Sequence, residues 1–315
     1  MTKIVPLANV TDCPDLVRLA GLRGGAISIG NFDGVHLGHA ALLKQLRQVA
    51  DSVGGPAVVV ALDPHPAVIL RPEQAPTRLT WIERRAELMQ PHGIDALVVC
   101  ETRGGLLGLT ANEFFEALIR QQLDARAIVE GPNFFFGKGR EGDIATLGRL
   151  CVADSIELQI ALPSNLRGEM ISSTRIRRCL TSGDLDGATA MLGTFYRMRG
   201  DVVQGAGRGR TIGFPTANLQ SIDTVVPAAG VYGGRVEVNK RRQLAAIHIG
   251  PNPTFDQDTS MKVEVHIIDY DGDLYDQSLN VDFALRVRDV IKFDSATELV
   301  EQLESDIRTI RNQLA

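Results

Sequence analysis

The sequence has 315 residues, of which 44% are hydrophobic and 23% charged, and its formal net charge is −5 at pH 7. This balance is ordinary for a globular protein with room for two domains, and it gives no general attraction to nucleic acid. The sequence contains no run of about 18 apolar residues that would predict a membrane span, and its opening residues lack a signal-peptide pattern. The dispersed cysteines favour neither a zinc site nor a disulfide framework. We therefore predict a cytoplasmic protein.

The first half of the chain alternates segments typical of strands and of helices. Short apolar runs predict strands at 26–29, 57–62, 96–100, 127–129 and 156–162. Helices are predicted at 40–49, 80–90, 110–122, 143–152, 173–181 and 184–192. Two of these helices begin with capping-box spacing, at Thr80 with Glu83 and at Thr110 with Glu113. The alternation predicts a Rossmann-like parallel sheet with helices on both faces and right-handed crossovers.

The second half of the chain has a different pattern, with strands separated by Gly- and Pro-rich turns. These strands are predicted at 195–203, 231–238, 244–249, 262–269 and 279–285. Strands at this spacing without intervening helices predict a small antiparallel β-barrel. A third capping box, at Ser295 and Glu298, predicts a terminal amphipathic helix. The predicted fold class is therefore α/β plus β, with one domain at 1–188 and a second at 189–315.

The turn at 30–39, GNFDGVHLGH, joins the predicted strand at 26–29 to the predicted helix that follows it. Ligands bind at the carboxyl ends of parallel strands, and helix N-termini attract phosphate. His36 and His39 are three residues apart, so both imidazoles should point the same way, and Gly38 has no Cβ to keep a ligand from the backbone. This arrangement suits a phosphate, although two histidines that only cap a helix or satisfy core hydrogen bonds would show the same pattern.

A second polar cluster, ISSTRIRR at 171–178, combines hydroxyls, a helix start and guanidinium groups. Such groups can hold phosphate oxygens and neutralise developing charge. Alone, the cluster is explained more simply by a Ser N-cap with a solvated basic face. Together, the H-x-G-H and ISSTxxR motifs resemble those of the nucleotidyltransferase superfamily, whose members transfer an adenylyl or similar group and release pyrophosphate.

The segments between these motifs narrow the resemblance. GNFDGVH, the DPHP run at 63–66 and the loop at 131–140 resemble the FMN adenylyltransferase module of bacterial bifunctional riboflavin kinase/FAD synthetases. The resemblance implies that His36 and His39 contact the triphosphate around the transferred α-phosphate. It implies that Ser173, Thr174 and Arg177 hold the β- and γ-phosphates. The residues implied to bind nucleotide or flavin are Gly30, Asn31, Phe32, Asp33, Gly38, Asn133 and Phe134.

A glycine-rich stretch at 205–219, GAGRGRTIGFPTANL, is the main polar motif of the second half. Such a loop can wrap phosphates with its free N–H groups. Thr216 and Asn218 then offer a hydroxyl and an amide oxygen, which suit Mg²⁺. A Gly-rich barrel hairpin with a Pro turn is the alternative explanation.

This stretch resembles the signature of riboflavin kinases, as do the segments at 230–232, 264–269, 272–275 and 288–293. The resemblance implies that Thr216 and Asn218 hold Mg²⁺ with ATP, that Glu264 is the general base, and that Arg288 lies near flavin or phosphate. The implied nucleotide loop comprises Gly205, Gly209, Arg210 and Gly213. Three features depart from the family pattern, and none is expected to touch a catalytic residue: His248 in place of Asn, Asp276 in place of Gly, and a Gly-rich segment at 101–108.

The predicted function is two successive ATP-dependent steps in one chain. The barrel phosphorylates riboflavin to FMN, and the α/β module adenylylates FMN to FAD with release of pyrophosphate. Riboflavin, FMN, FAD and ATP are the predicted partners, Mg²⁺ accompanies ATP, and the flavins are substrates and products rather than prosthetic groups. The alternatives are a flavin-binding or regulatory protein with reduced catalysis, and an adenylyltransferase for another phosphate ester.

Overall fold

The computed structural model describes residues 1–8, 21–103, 105–205, 209, 212–251 and 261–314. The chain divides into two compact units. The first comprises Met1–Pro76 and Trp81–Ser172, and the second comprises Thr77–Thr80 and Ser173–Ala315. Among the described helices, none combines the length and the apolar character needed to cross a bilayer.

The first unit is built on a six-stranded sheet in which neighbouring strands all run parallel. Its strands are β1 (Lys3–Leu7), β2 (Ala26–Ile29), β3 (Ala57–Asp63), β4 (Ala96–Glu101), β5 (Ala127–Glu130) and β6 (Glu157–Ile160). The strand order is β1-β4-β3-β2-β5-β6. From β2 the chain adds β3 and β4 on one side and later β5 and β6 on the other. The point between β2 and β5 is therefore a topological switch point, where open parallel sheets bind their ligands.

Helices cover both faces of this sheet, as predicted. They are α1 (Leu37–Val53), α2 (Pro66–Leu70), α3 (Ile82–Met89), α4 (Ala111–Phe114, continued by a π-helix over Phe115–Gln122) and α5 (Ile144–Ala153). Successive strand residues enter opposite cores, since Val58 belongs to the same core as Phe114, whereas Val59 belongs to the other core with Leu43 and Met89. A small antiparallel pair of strands, β7 (Asn165–Leu166) and β8 (Glu169–Met170), also belongs to the unit. Four short 3₁₀ turns complete it: Pro72–Gln74, Gln90–His92, Leu106–Gly108 and Lys138–Arg140.

The capping boxes predicted for the first half had different outcomes. At Thr110 both reciprocal bonds of the box form with Glu113, which confirms that prediction. The box at Thr80 is wrong, because α3 begins at Ile82 with Trp81 as its N-cap residue and no side-chain cap bond. The backbone just before α3 is engaged elsewhere: Arg78 forms a β-bridge with Thr224 within the second unit.

The second unit is a closed antiparallel barrel with the order β10-β13-β12-β11-β14-β9. Its strands are β9 (Tyr196–Val203), β10 (Ala217–Gln220), β11 (Gly230–Val238), β12 (Arg241–Pro251), β13 (Met261–Ile267) and β14 (Ser278–Arg288). The barrel interior is apolar, with Tyr196, Tyr232 and Phe283 fully buried. Tyr196 and Tyr232 both contact the Phe283 ring, at centroid distances of 6.1 and 5.4 Å.

Three helices accompany the barrel: α6 (Ser173–Ser182), α7 (Leu185–Leu192) and α8 (Ala296–Leu314). The α8 start confirms half of the predicted box, since Ser295 Oγ accepts from Glu298 N at 3.2 Å. The Glu298 carboxylate instead reaches Asp294 N, at 3.3 Å. The predicted domain boundary at 188/189 lies inside α7 and stays a prediction.

Candidate active sites

The turn after β2 has an unusual backbone. Phe32 and Val35 both adopt positive φ, at 48° and 39°, a region that is uncommon for non-glycine residues and an outlier for a β-branched one. Asp33, between them, is only 5% exposed. Backbone outliers of this kind cluster at functional sites. They mark this turn, at the carboxyl edge of the sheet beside the switch point, as a candidate site.

His36 and His39 form a stacked pair at the start of α1. His36 is the N-cap residue of that helix, and its Nδ1 accepts from His39 N at 3.3 Å. The two rings lie 3.7 Å apart between centroids and 13° from parallel, so both point the same way, as predicted. Within the described part of the chain, no hydrogen-bond partner reaches the buried Nδ1 of His39. The capping interpretation therefore holds for His36 and leaves His39 unexplained.

The electrostatic setting of this pair favours a neutral imidazole. Burial, and then the neighbouring His36 and Arg85, lower the pKa of His39 well below its usual value. His39 can therefore serve as an N–H donor, rather than as a cation, at neutral pH. Arg85 also pairs with Asp33, since its Nη2 lies 3.5 Å from Oδ1 and both side chains are buried. This ion pair ties the turn to α3.

Gly38 has a structural role that the sequence did not predict, and its expected role in nucleotide binding stays a prediction. A Cβ at this position would lie 3.1 Å from Cε1 and Nδ1 of His36, so the missing side chain makes room for that imidazole. The same Cβ would lie 3.7 Å from the Ile171 carbonyl oxygen. The H-x-G-H motif and the beginning of the ISSTRIRR motif thus meet inside the first unit.

The remainder of that motif belongs to the second unit. Ser173 is half-buried and Thr174 exposed at the start of α6, and Arg177 lies one turn further on. Arg177 Nε donates to the Thr77 carbonyl oxygen at 2.6 Å. The joint action of these residues with His36 and His39 on one triphosphate stays a prediction.

The segment after β5 contains Asn133 and Phe134, which are predicted to bind nucleotide or flavin in the first unit. Asn133 is exposed, whereas Phe134 is partly buried and stacks on Phe136 at 5.4 Å. Phe135, which the motifs did not single out, is the exposed aromatic of this loop and lies 4.4 Å from the Arg140 guanidinium carbon. Across the switch point, Asn31 Oδ1 is buried without a hydrogen-bond partner in the described residues.

In the second unit, polar side chains form a row across three neighbouring barrel strands. Glu264 on β13 stands directly opposite Asn218 on β10 and opposite His248 on β12. Lys262, two residues before Glu264, donates to its Oε1 at 2.7 Å. His248 Nδ1 lies 3.3 Å from Glu264 Oε2. The expectation that the His248 departure touches no catalytic candidate is therefore wrong, because strand register places it against the proposed base.

These contacts keep the Glu264 carboxylate ionised. The contact with His248 and the hydrogen bond from Lys262 lower the pKa of Glu264 to about 2, against the opposing effect of its partial burial. Glu264 is thus an acceptor at every physiological pH. The sequence did not predict the contact of Lys262 with Glu264, because a lysine two residues away on the same strand forms no recognisable motif.

Asn218 and the glycine-rich stretch lie beside this carboxylate. A Cβ on Gly205 would come within 2.1 Å of Asn218 Nδ2, so only glycine fits against that amide. Asn218 Oδ1 is buried and finds no partner in the described part of the chain. Thr216 lines an adjoining cavity of about 300 Å³, together with Pro215, Ala217 and the segment from Tyr270 to Tyr275. Gly209 and Gly213 lie in the turn before Phe214, and Arg210 lies outside the described residues.

Asp276, the second departure, adopts a φ of 60° directly after this cavity. Positive φ is where glycine is favoured and where aspartate is tolerated better than most residues. Its N–H donates to the Val202 carbonyl oxygen at 3.1 Å. The positive φ thus explains why the family pattern has glycine at this position and why Asp276 can replace it.

Arg288 has a buried structural partner. Its Nε lies 3.0 Å from Asp306 Oδ1 and its Nη2 2.7 Å from Oδ2, and Gln302 also donates to Oδ1. This pair fastens α8 to the end of β14. The predicted role of Arg288 toward flavin or phosphate stays a prediction.

Replacing Asp306 with alanine is expected to lower the free energy of unfolding of the second unit by about 3 kcal/mol, because it leaves the Arg288 charge poorly compensated. Asp306 is 2% exposed, so water cannot take its place freely. The measurement is the midpoint of the denaturant-induced loss of riboflavin kinase activity. Glu304→Ala, which removes the exposed pair with Arg308 on the same helix, should cost less than about 1 kcal/mol. Equal effects of the two variants would contradict the assignment.

Comparison with known families assigns the two halves of the chain to two families. Residues 20–175 match the FAD synthetase family model, and residues 192–314 match the riboflavin kinase family model. The bifunctional riboflavin kinase/FMN adenylyltransferase of Pseudomonas fluorescens is 35% identical over 289 residues, which covers 92% of this chain and 93% of the relative. The enzyme of the same description from Listeria monocytogenes is 35% identical over 288 residues, covering 90% and 91%.

A solved structure shares the fold over the full chain. The crystal structure described as a macrolide-efflux protein from Streptococcus pneumoniae has a TM-score of 0.85 and 32% identity, and the match covers 98% of this chain and 99% of that one. A parallel-sheet FAD synthetase module followed by a riboflavin kinase barrel defines a two-module transferase of flavin biosynthesis. The chain belongs to the bifunctional riboflavin kinase/FMN adenylyltransferase family.

Proposed function

We propose that the second unit phosphorylates riboflavin to FMN and that the first unit adenylylates this FMN to FAD. The observation that supports this most directly is that each unit has its own polar site. The first has a stacked histidine pair at a helix N-terminus, and the second has an ionised carboxylate opposite a buried amide oxygen. The two sites suit different steps, since one offers donors for phosphate and the other an acceptor for a hydroxyl proton.

In the kinase step Glu264 accepts a proton. The ribityl 5′-hydroxyl oxygen attacks the γ-phosphorus of ATP, the bond from that phosphorus to the ADP oxygen breaks, and the hydroxyl proton passes to the Glu264 carboxylate. Lys262 and His248 hold this carboxylate in place. Because the pKa of Glu264 lies at about 2, it holds the proton only transiently before releasing it to solvent.

Mg²⁺ is the cation expected with ATP in this site. The unpartnered, buried Asn218 Oδ1 fits a hard cation, and Thr216 adds a hydroxyl two residues earlier. Mg²⁺ favours few protein oxygens combined with water and phosphate, which matches this pair better than a cage of carboxylates. When bound, Mg²⁺ supplies charge neutralisation on the transferred phosphoryl group. By the family resemblance, the glycines at 205, 209 and 213 and Arg210 are assigned to the nucleotide phosphates, and Arg288 to flavin or phosphate.

In the adenylylation step no general base is needed. A phosphate oxygen of FMN, already ionised at neutral pH, attacks the α-phosphorus of ATP, and the bond to the pyrophosphate oxygen breaks. His36, His39 and the N–H groups at the start of α1 donate to the oxygens of that phosphate. Ser173, Thr174 and Arg177 hold the β and γ end. Gly30 to Asp33 line the nucleotide, and Asn133 and Phe134 lie towards the flavin.

The experiment that tests this assignment is an incubation of the purified chain with riboflavin, ATP and Mg²⁺, followed by separation of the flavins. FMN and then FAD are the expected products, with neither formed when Mg²⁺ is omitted. A parallel incubation starts from FMN. FAD from FMN without FMN from riboflavin would indicate an adenylyltransferase with a recognition barrel, and unchanged flavin in both would indicate a binding protein.

A fragment of residues 173–315 is expected to phosphorylate riboflavin at the rate of the full chain. It keeps α6, whose Leu180 carbonyl oxygen accepts from Ala228 N at 2.9 Å, and α7, whose Leu185 and Met191 are buried. The fragment 189–315 cuts α7 and should melt at a lower temperature, since each buried side chain of this size contributes about 1.5–3 kcal/mol. An inactive 173–315 fragment would show that the kinase needs residues outside it, either Thr77–Thr80 of the second unit or the first unit.

A further inference from the structure

The ladder between the two strands at the switch point ends early. The β2–β5 pairing runs through Ala26↔Ala127 and Ile27↔Ile128 only. Each strand pairs over a longer stretch with its other neighbour. The β2–β3 pairing continues to Ile29↔Val60, and the β5–β6 pairing continues to Glu130↔Ile160. The two central strands therefore separate at their carboxyl ends while the rest of the sheet stays closed. The resulting gap lies between the turn at 30–36 and the segment at 131–134.

The Glu130 side chain spans this gap. Its Oε1 accepts from Ile29 N at 2.6 Å, and Ser28 Oγ lies 3.5 Å from the same oxygen. The Gly131 N–H also bonds to this carboxyl. Since Ile29 N has no ladder partner on β5, the carboxyl takes the place that a strand carbonyl holds elsewhere in the sheet.

The carboxyl of Glu130 is enclosed by protein. The residue is 3% exposed, although it lies at the edge of the sheet where ligands bind. Burial raises the pKa of Glu130 well above its usual value, and the bonds from Ile29, Ser28 and Gly131 offset only part of that effect. The environment therefore favours the uncharged acid, which glutamine imitates in size, polarity and charge.

We propose that Glu130 is a positioning residue for adenylyl transfer, which fixes the separation between the histidine turn and the flavin-side segment through its bond to Ile29 N. This inference rests on the proposed assignment of adenylyl transfer to the first unit. In-line attack requires the α-phosphorus and the FMN phosphate oxygen to be held at near-contact distance. A displacement of about 1 Å between the elements that hold them can cost about 100-fold in rate. The Glu130 side chain contacts the end of β2 and the residue after β5, so its effect on the reaction passes through the backbone of these two elements.

The test compares Glu130→Gln with Glu130→Met in the full chain. Glutamine keeps an oxygen acceptor for Ile29 N, whereas methionine has similar length and no acceptor. With FMN supplied directly, the Gln variant is expected to form FAD within about twofold of wild type, and the Met variant to lose about 10- to 100-fold in kcat. KM values for ATP and FMN should change less than kcat, because alignment rather than binding is lost.

Two controls accompany these variants. Riboflavin phosphorylation by the second unit of the same molecule should be unchanged in both, which reports that the chain is folded and correctly quantified. Glu101→Met removes a glutamate from the carboxyl end of β4, at the same edge of the sheet but away from the switch point. It should leave FAD formation unchanged.

A Met variant with wild-type kcat would overturn the proposal, and so would a Gln variant as impaired as the Met variant. Should the Met variant not fold, Glu130→Asp replaces it, because the shorter side chain cannot hold Ile29 N in the same geometry. Full activity of that variant would also overturn the proposal. Absence of FAD formation by the wild-type chain would instead refute the assignment of adenylyl transfer, which separates the two failures.

Discussion

Replacing Glu264 with glutamine is expected to lower the rate of riboflavin phosphorylation by about 10²- to 10⁴-fold. Glutamine can accept a hydrogen bond but cannot take up the hydroxyl proton as the γ-phosphoryl group is transferred. Conversion of supplied FMN to FAD should continue at the wild-type rate, because the first unit contains its own site. The measurement is a pair of initial rates, one from riboflavin and one from FMN, on the same preparation.

The control for this variant is Glu237→Gln, an exposed glutamate on β11 of the same barrel. It removes one carboxylate from the barrel surface without touching the row of Asn218, Glu264 and His248. Riboflavin phosphorylation should be unchanged in this control. Retained kinase activity in the Glu264 variant would contradict its role as base, and loss of both activities would contradict the independence of the two sites.

Glu264 also links activity to stability. Its folded-state pKa of about 2 lies below the unfolded value near 4.5, so the stabilisation that the ionised Glu264 carboxylate contributes is fully present above pH 4.5. That contribution disappears as the pH falls through about 2. The Gln variant should therefore be less stable than wild type at neutral pH, and this difference should shrink on acidification.

The sequence predicted elements that depend on residues close together in the chain, and it missed strands that depend on pairing with distant strands. The Thr110 and Glu113 box lies within four residues and forms as predicted. The Thr80 and Glu83 box is equally local but does not form, and there the preceding backbone pairs with a distant residue, Thr224. Strand β1 was not predicted, because it is a half-exposed edge strand that contains Pro6 and exists through its pairing with β4. Strand β10 was not predicted either, since its Pro-Thr-Ala-Asn approach is typical of a turn, and its pairing with β9 and β13 makes it a strand.

The same distinction applies to the candidate sites. The common direction of the His36 and His39 rings follows from their three-residue spacing and was predicted, whereas their stacking was not. The place of Arg85 in the site was not predicted, because its contact with Asp33 joins residues 52 positions apart. His248 was recorded as a departure, but its contact with Glu264 depends on the β12–β13 register, which the sequence does not specify.

Replacing His39 with glutamine, or His36 with asparagine, is expected to lower FAD formation from FMN by about 10²- to 10³-fold, the usual cost of removing one donor to a developing oxyanion. Riboflavin phosphorylation should stay at the wild-type rate in both variants. His92→Ala, a histidine of the first unit in the 3₁₀ turn after α3, serves as the control and should leave FAD formation intact.

The asparagine variant separates the two explanations of His36. His36 caps α1, and asparagine is among the best N-cap residues, so His36→Asn keeps the cap while removing the imidazole. If His36 only caps the helix, this variant makes FAD at the wild-type rate with an unchanged melting temperature. If His36 donates to the α-phosphate, FAD formation falls although the melting temperature is unchanged. His39 has no capping role, and its Nδ1 has no partner among the described residues, so full activity of His39→Gln would remove the main support for adenylyl transfer at this turn.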